Sequence, residues 1–273
     1  MSYMSSSNTT FRIDNDDSLS VTLWSGESML VKAGCVSVMS GHLDIRAKVQ
    51  VDDDELYLNE VYLSENAGID SAGLTIGSAA PGTIVQIKLN AGDSFVIRDS
   101  SFLAATPNVR IENQYNHQDT DKIFEDQVVP LTRVTLLDDE EEGHLFISAF
   151  GRSHRHVIVA GDTLLVNGGL FLAAPETENG LSHKYEVKPA GSLFTSIAGV
   201  SWVLMKFTGP STVITQSHNM ESFAAVIDNA QEGGGEYSSS SESSSSGSEE
   251  EEDSEEEESE EEEESEEEES EED

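Results

Sequence analysis

Residues 92–108 read GDSFVIRDSSFLAATPN, and residues 161–177 read GDTLLVNGGLFLAAPET. In both, Gly-Asp and a hydroxyl residue lead an apolar run, and Phe-Leu-Ala-Ala begins ten residues after the glycine. Glycine beside a short polar residue bends a chain, and alternating apolar residues bury one face of a strand. Each copy therefore reads as a strand, a tight turn and a second strand. Gly92-Asp93 and Gly161-Asp162 supply the bends, and Gly168-Gly169 is the turn between the strands of the later copy. Phe102-Leu103 and Phe171-Leu172 are expected in the core.

The pattern extends further. GESMLVKAG from Gly26 has the same opening, and GPSTVITQSHNMESFAAVI from Gly209 is a degenerate relative with Phe223-Ala224-Ala225. Three or four such hairpins about a pseudo-axis would bury a shared core that no single hairpin could bury. Much of the remaining chain has the same character: SLSVTLWSG (18–26), GTIVQIKLNAG (82–92), HLFISAFGRSHRHVIVAGD (144–162) and VSWVLMKFTGPSTVITQ (200–216) are short β-branched or apolar runs broken by glycine. Regular short strands with turn signals imply an all-β sandwich, barrel or β-helix-like domain. Only residues 121–128 and 219–228 have room for a short helix, and the second reads equally as a last strand.

Composition divides the chain. The formal charge is −40, and residues 236–273 hold 23 of the 54 acidic residues and none of the 14 basic ones. A Ser/Glu tract has no apolar surface to offset its ordering entropy, and its charges repel, so a disordered tail is expected over 230–273. Residues 1–19 are expected to be a flexible N-terminus and 20–229 the all-β domain. No apolar run approaches the roughly 18 residues that span a bilayer, so no transmembrane segment is expected. The opening stretch has neither a secretory nor a presequence layout. The lone Cys35 permits no internal disulfide, which points to cytosol or nucleus.

The segments around Gly26, VKAGCVSVMSGHLDI, PGTIVQIKLNAGDSFVIRDSSFLAATPNVRI and GHLFISAFGRSHRHVIVAGDTLLVNGGLFLAA together resemble the altered-inheritance-of-mitochondria (mitochondrial biogenesis) family over about residues 20–228. Its core is similar to the tryptophan RNA-binding attenuation protein-like fold. The resemblance implies a pseudo-symmetric double-stranded β-helix or β-prism-like body, often oligomeric, without an established catalytic activity or agreed ligand. It also implies a mitochondrial association, since fungal relatives support inner-membrane organisation there.

Several constellations carry chemistry on paper. In SHRHVIVAGD, strand alternation puts His154 and His156 on one face, as two metal ligands of a cupin-type strand would lie, with Arg155 opposite. Asp162, His183 or His218 are nominees for a third ligand. The plainer reading is two surface histidines, and no cofactor is expected. Cys35, in an apolar strand, reads as a buried inert thiol. The acidic runs Asp52–Glu55 and Asp138–Glu142 lack the alternating ligands of a calcium loop and read as solvated hairpin loops. The charge excludes nucleic acid as a partner, because phosphates need a basic groove.

The tail is the candidate partner-binding element, through Glu249, Glu250, Glu251, Glu252, Asp253, Glu255, Glu256, Glu257 and Glu258. Ser254, Ser259, Ser265 and Ser270 each precede three acids and are phosphorylation candidates for an acid-directed kinase. Histones and other basic proteins are the expected partners. The sequence thus points first to a non-enzymatic, homo-oligomeric scaffold or interaction protein. An acidic-tail chaperone is the second reading and a metal-dependent cupin-like enzyme the third.

Overall fold

The repeated phrases are not hairpins. In the copy from Gly92, the strand Ser94–Arg98 and the strand Phe102–Ala105 belong to different sheets, joined by a 3-10 corner at Asp99–Ser101. The copy from Gly161 does the same through Gly168–Leu170. The phrase is a crossing between layers. That is why its second strand, Phe-Leu-Ala-Ala, is buried along its whole length.

The computed structural model of the chain describes residues 8–52, 54–112, 131–137, 139–176, 185–189, 203–220, 222–224 and 226–227. These lie in one compact unit, Met1–Gln231. Two strands lead, β1 (Thr10–Asp14) and β2 (Ser18–Trp24). The phrase at Gly26 opens β3 (Ser28–Lys32), β4 (Val36–Met39), β5 (Asp44–Asp52), β6 (Asp54–Tyr62), β7 (Ser71–Gly77) and β8 (Ile84–Asn90). Gly92 opens β9 (Ser94–Arg98), β10 (Phe102–Ala105), β11 (Val109–Glu112), β12 (Leu131–Leu136), β13 (Glu142–Ser148) and β14 (Ser153–Ile158). After Gly161 come β15 (Thr163–Asn167), β16 (Phe171–Pro175), β17 (Tyr185–Pro189), β18 (Val203–Thr208) and β19 (Ser211–Gln216).

The paired strands are antiparallel and form four sheets. Their orders are β1-β2-β7-β4, β5-β6-β3-β10-β13-β8, β11-β12-β9-β16-β19-β14 and β15-β18-β17. Adding six to every label of the second sheet gives the third. Among the described residues the first sheet holds the β4-β7-β2 half of that order, extended by β1, and the fourth holds the complementary half. The repeat is thus written in the topology as well as in the letters. Gly209 does not open a copy: β19, which follows it, sits where β13 sits in the second sheet. Phe223 and Ala224 of that stretch are helical, along with Met220, Ser222, Val226 and Ile227.

The repeated turn has a local cause. Glu27, Asp93 and Asp162 each donate their backbone N–H to the carbonyl three residues earlier, and the glycines before them have φ of 85°, 83° and 89°. A positive φ at the third position of such a turn favours glycine. The acid then closes the loop: the Asp93 carboxylate accepts the Asn90 N–H at 2.8 Å, and Glu27 accepts that of Trp24 at 2.9 Å.

Burial follows the layering. Leu19, Val21 and Leu23 alternate inward along β2, as on a strand with one covered face. Successive residues Leu30 and Val31 of β3 are both buried, because both faces of the second sheet are covered. The core is accordingly divided into three. One cluster lies between the first and second sheets (Leu74, Ile76, Met29, Phe146), one between the second and third (Leu30, Leu89, Ile97, Leu172), and one between the third and fourth (Val96, Phe171, Met205, Phe207).

Two expectations change here. The N-terminal stretch 1–19 is not wholly flexible, since β1 pairs with β2 from Thr10 to Asp14. The single core about a pseudo-axis is replaced by separate cores between successive sheets. Residues 121–128 lie outside the described residues, as do His183 and the whole of 230–273 with its candidate acids and serines.

Candidate functional site

The second and third sheets end side by side in the edge strands β8 and β14, and a cleft of about 430 Å³ opens between them. Phe95, Ala173, Pro175 and Ile214 give it an apolar lining, and Gln86, Lys88 and Arg155 add polar groups. Further contacts join the two edges where β8 and β14 begin. Gly82 and Gly151 form a bridge, the Thr83 N–H donates to the Gly151 carbonyl at 2.8 Å, and the Ser153 N–H donates to the Thr83 hydroxyl at 2.9 Å. A Cβ on Gly82 would stand 1.8 Å from the Ala149 carbonyl oxygen, so only glycine permits this approach.

The two cations of the cleft differ. Lys88 is neutralised by Glu142, with Nζ and Oε2 2.7 Å apart. The same carboxylate approaches His144, whose other ring nitrogen lies 3.1 Å from the Gln86 amide nitrogen. The hydrogen bond from Lys88 holds the Glu142 carboxyl below the usual range. Burial pushes the His144 imidazole down, and Glu142 offsets part of that. Among the described residues, none forms an ion pair with Arg155. Its guanidinium, on an exposed residue beside an apolar lining, is suited to an anionic or planar group.

The histidine pair lies on the other face of β14. His154 and Arg155 stand opposite Thr215 and Ile214 of β19, and His156 opposite Val213. Strand alternation then places His154 and His156 together and Arg155 toward the cleft. His154 is exposed, whereas the half-buried His156 puts Nε2 2.9 Å from the Thr215 hydroxyl. Asp162 is held in the turn that begins β15. His218 has Nδ1 2.6 Å from the Ser217 hydroxyl and its ring edge-on to Phe150. No group of three His, Cys, Asp or Glu side chains comes together among the described residues.

Ser217 and His218 are a hydrogen-bonded pair that the sequence reading missed. The Ser217 oxygen accepts the Arg152 N–H at 2.9 Å and its proton is then free to turn to the imidazole. Gly151, at φ 79°, passes so close that a Cβ would meet both side chains at 2.3 Å. The pair fastens the bend after β19 to the start of β14. The adjacency Ser-His was visible in the letters, but the glycine that packs on it is distant in sequence.

Cys35 is buried, and burial pushes its thiol up, away from the reactive thiolate. The acidic run at Asp52–Glu55 falls at the β5–β6 hairpin, where Asp52 faces Asp54. In the second run Glu140 accepts from the Asn108 side chain at 3.0 Å and Glu142 begins β13.

Comparison with known proteins agrees with this architecture. A family model described as mitochondrial biogenesis AIM24 matches residues 11–218. The fold is similar to the X-ray crystal structure of protein SPYM3_0169 from Streptococcus pyogenes, at TM-score 0.63 and 16% sequence identity. That match covers 81% of this chain and 99% of the other. No curated protein matches the sequence. The chain belongs to the mitochondrial biogenesis AIM24 family.

Proposed function

We propose that this family member is a non-enzymatic scaffold that associates with copies of itself and presents other surfaces, including its acidic tail, to partners. The observation that carries the reading is the unfinished topology. Among the described residues the strand unit makes two six-stranded sheets and leaves a partial sheet first and last in chain order. Val38 and Leu165, on the strands β4 and β15 at the open edges of the partial sheets, are exposed aliphatic residues. Light scattering coupled to size-exclusion chromatography tests it. A mass above one chain that dissociates on dilution supports self-association, and a single-chain mass at every concentration refutes it.

A second reading assigns the work to the tail, as a chaperone of basic proteins. Its support is the run of 23 acidic residues without a base over 236–273, which attracts cations in a multivalent and salt-sensitive manner. Removing 236–273 should abolish binding to histones or polylysine; undiminished binding sinks this reading. A third, metal-dependent reading needs His154 and His156 to act as ligands. Elemental analysis of purified protein that finds no bound metal removes it. We further propose a cytosolic or nuclear location on the strength of the lone cysteine, against the mitochondrial association that the family name suggests.

A further inference from the structure

We propose that copies of the chain join head to tail, with β4 of one pairing antiparallel to β15 of the next; this rests on the self-associating scaffold reading and names its surface. The two partial sheets are complementary halves. Placed edge to edge, β17-β18-β15 of one copy and β4-β7-β2 of another give the strand order of the second and third sheets, each label again offset by six.

The intrachain junctions supply the register. In the second sheet β10 meets β3, with Ala104 opposite Val31 and Ala105 opposite Leu30. In the third β16 meets β9, with Ala173 opposite Ile97 and Ala174 opposite Val96. Counted from the opening glycine of each phrase, the residue twelve places on faces the residue five places on, both times. The same count puts Val38 opposite Val166 of the partner subunit and Met39 opposite Leu165 of the partner subunit. The irregularities agree as well. β10, β16 and β4 each carry a register shift against their other neighbour at the same place in the phrase: Phe102/Ala104, Phe171/Ala173 and Val36/Val38.

Exposure separates the finished junctions from the unfinished one. Ala104 and Ala173 are 0% exposed, and Leu30 and Val96 at most 1%. Their counterparts are open: Val38 is 66% exposed and Leu165 56%. Among the described residues β4 pairs only with β7, and β15 only with β18, so each offers a row of free backbone donors and acceptors.

These two edges are also the unguarded ones. Natural sheets protect their edges with charges or proline. The six other edge strands carry such residues, for instance Arg12, Arg46, Lys88, Glu112, Arg155 and Pro189. β4 is Val-Ser-Val-Met and β15 is Thr-Leu-Leu-Val-Asn, with no charge and no proline in either. A charge on either would oppose pairing, and both lack one. Because the two surfaces differ, the contact is heterologous, and it propagates from copy to copy into a ring where the rotation closes and a filament where it does not.

The test uses the full chain in sedimentation velocity across a concentration series, with Val38→Lys and Leu165→Lys made singly. The wild type should assemble, and each variant should weaken assembly by about tenfold or more while its far-UV circular dichroism stays unchanged. A second arm is independent of those variants. Met39→Cys and Leu165→Cys proteins, mixed and oxidised, should form a disulfide dimer that neither forms alone. Cross-linking of one variant with itself would show two-fold pairing and overturn the proposal. Assembly undisturbed by both lysines overturns it too, but leaves the self-associating reading standing. A wild type that is monomeric throughout overturns both.

Discussion

β16 and β4 occupy the same place in two copies of one unit, yet their residues meet opposite surroundings. β16 is flanked by β9 and β19 and is buried along Phe171–Ala174, whereas β4 has one neighbour among the described residues and leaves Ser37 and Val38 in solvent. The backbone path is shared, down to the register shift. Among the described residues, what β4 lacks is the second neighbouring strand. The identity of the residues follows that difference: Leu-Ala-Ala fills the close space inside, and Ser-Val-Met stands at the open edge. What a repeat preserves is the bend and the strand; what it lets vary is set by whether a second strand lies beside it.

The sharpest way to break this comparison is to place one charge at the equivalent positions. Ala104→Lys, at the equivalent place in β10, puts an unpaired ammonium among fully buried residues and should cost about 4 kcal/mol or more, enough to threaten folding. Val38→Lys should change the stability of the single chain by no more than about 0.5 kcal/mol. Denaturant melts of the two at low protein concentration decide it. If Val38→Lys is as damaging as Ala104→Lys, the edge is not open.

A smaller effect sharpens the same contrast. Phe171 is fully buried and stacks on Phe207 with ring centroids 5.6 Å apart, so Phe171→Ala should cost about 3–5 kcal/mol. Val36, its counterpart at the edge, is only partly buried, and Val36→Ala should cost about 1 kcal/mol. Equal losses in urea titrations would mean that β4 is packed as tightly as the interior strands.

Charge pairs repeat the lesson. Glu60, buried in the second sheet, accepts from Arg46 at 3.0 Å and from Ser28 at 2.9 Å. The Arg46 hydrogen bond chiefly holds its carboxyl below the ordinary range, against the opposing effect of burial. A carboxyl depressed in the folded state contributes stability that is present above its ordinary pKa and is lost as pH falls through the folded value. Glu60→Gln should therefore flatten the acid limb of the stability profile and cost about 1–2 kcal/mol at neutral pH. Glu142, also depressed but half exposed beside Lys88, should change that limb far less when made Gln. Thermal melts from neutral to acid pH compare the two.

Much of this fold was legible in the letters. The all-β class and the importance of the phrases at Gly26, Gly92 and Gly161 came from turn residues and apolar runs, which act locally, and the family came from a resemblance that the quoted segments carry together. The destination of each strand did not. Asp99-Ser100-Ser101 and Gly168-Gly169-Leu170 look like hairpin turns, but a 3-10 corner sends the chain into another sheet, and only packing on both faces selects that path. The completely apolar Phe-Leu-Ala-Ala was the available sign, since a strand with one wet face would alternate. At the candidate site, Arg155 opposite the histidine pair followed from alternation. The cleft it lines did not, because Phe95, Pro175 and Ile214 come together only through three strands distant in sequence.

The smallest prediction asks whether the turn is indifferent to the fate of its strand. Gly92 opens an interior strand and Gly161 an edge strand, yet both have φ above 80° and nothing within 4 Å of a built Cβ. Space therefore permits a side chain at either, and the backbone conformation alone opposes it. Gly92→Ala and Gly161→Ala should each cost about 1–2 kcal/mol, and by the same amount within about 0.5 kcal/mol. Asn at either position should recover part of the loss, because its side chain tolerates the left-handed region. A cost at Gly92 well above that at Gly161 would mean that strand burial tightens the turn, and the bend would then be part of the junction instead of a device that precedes it.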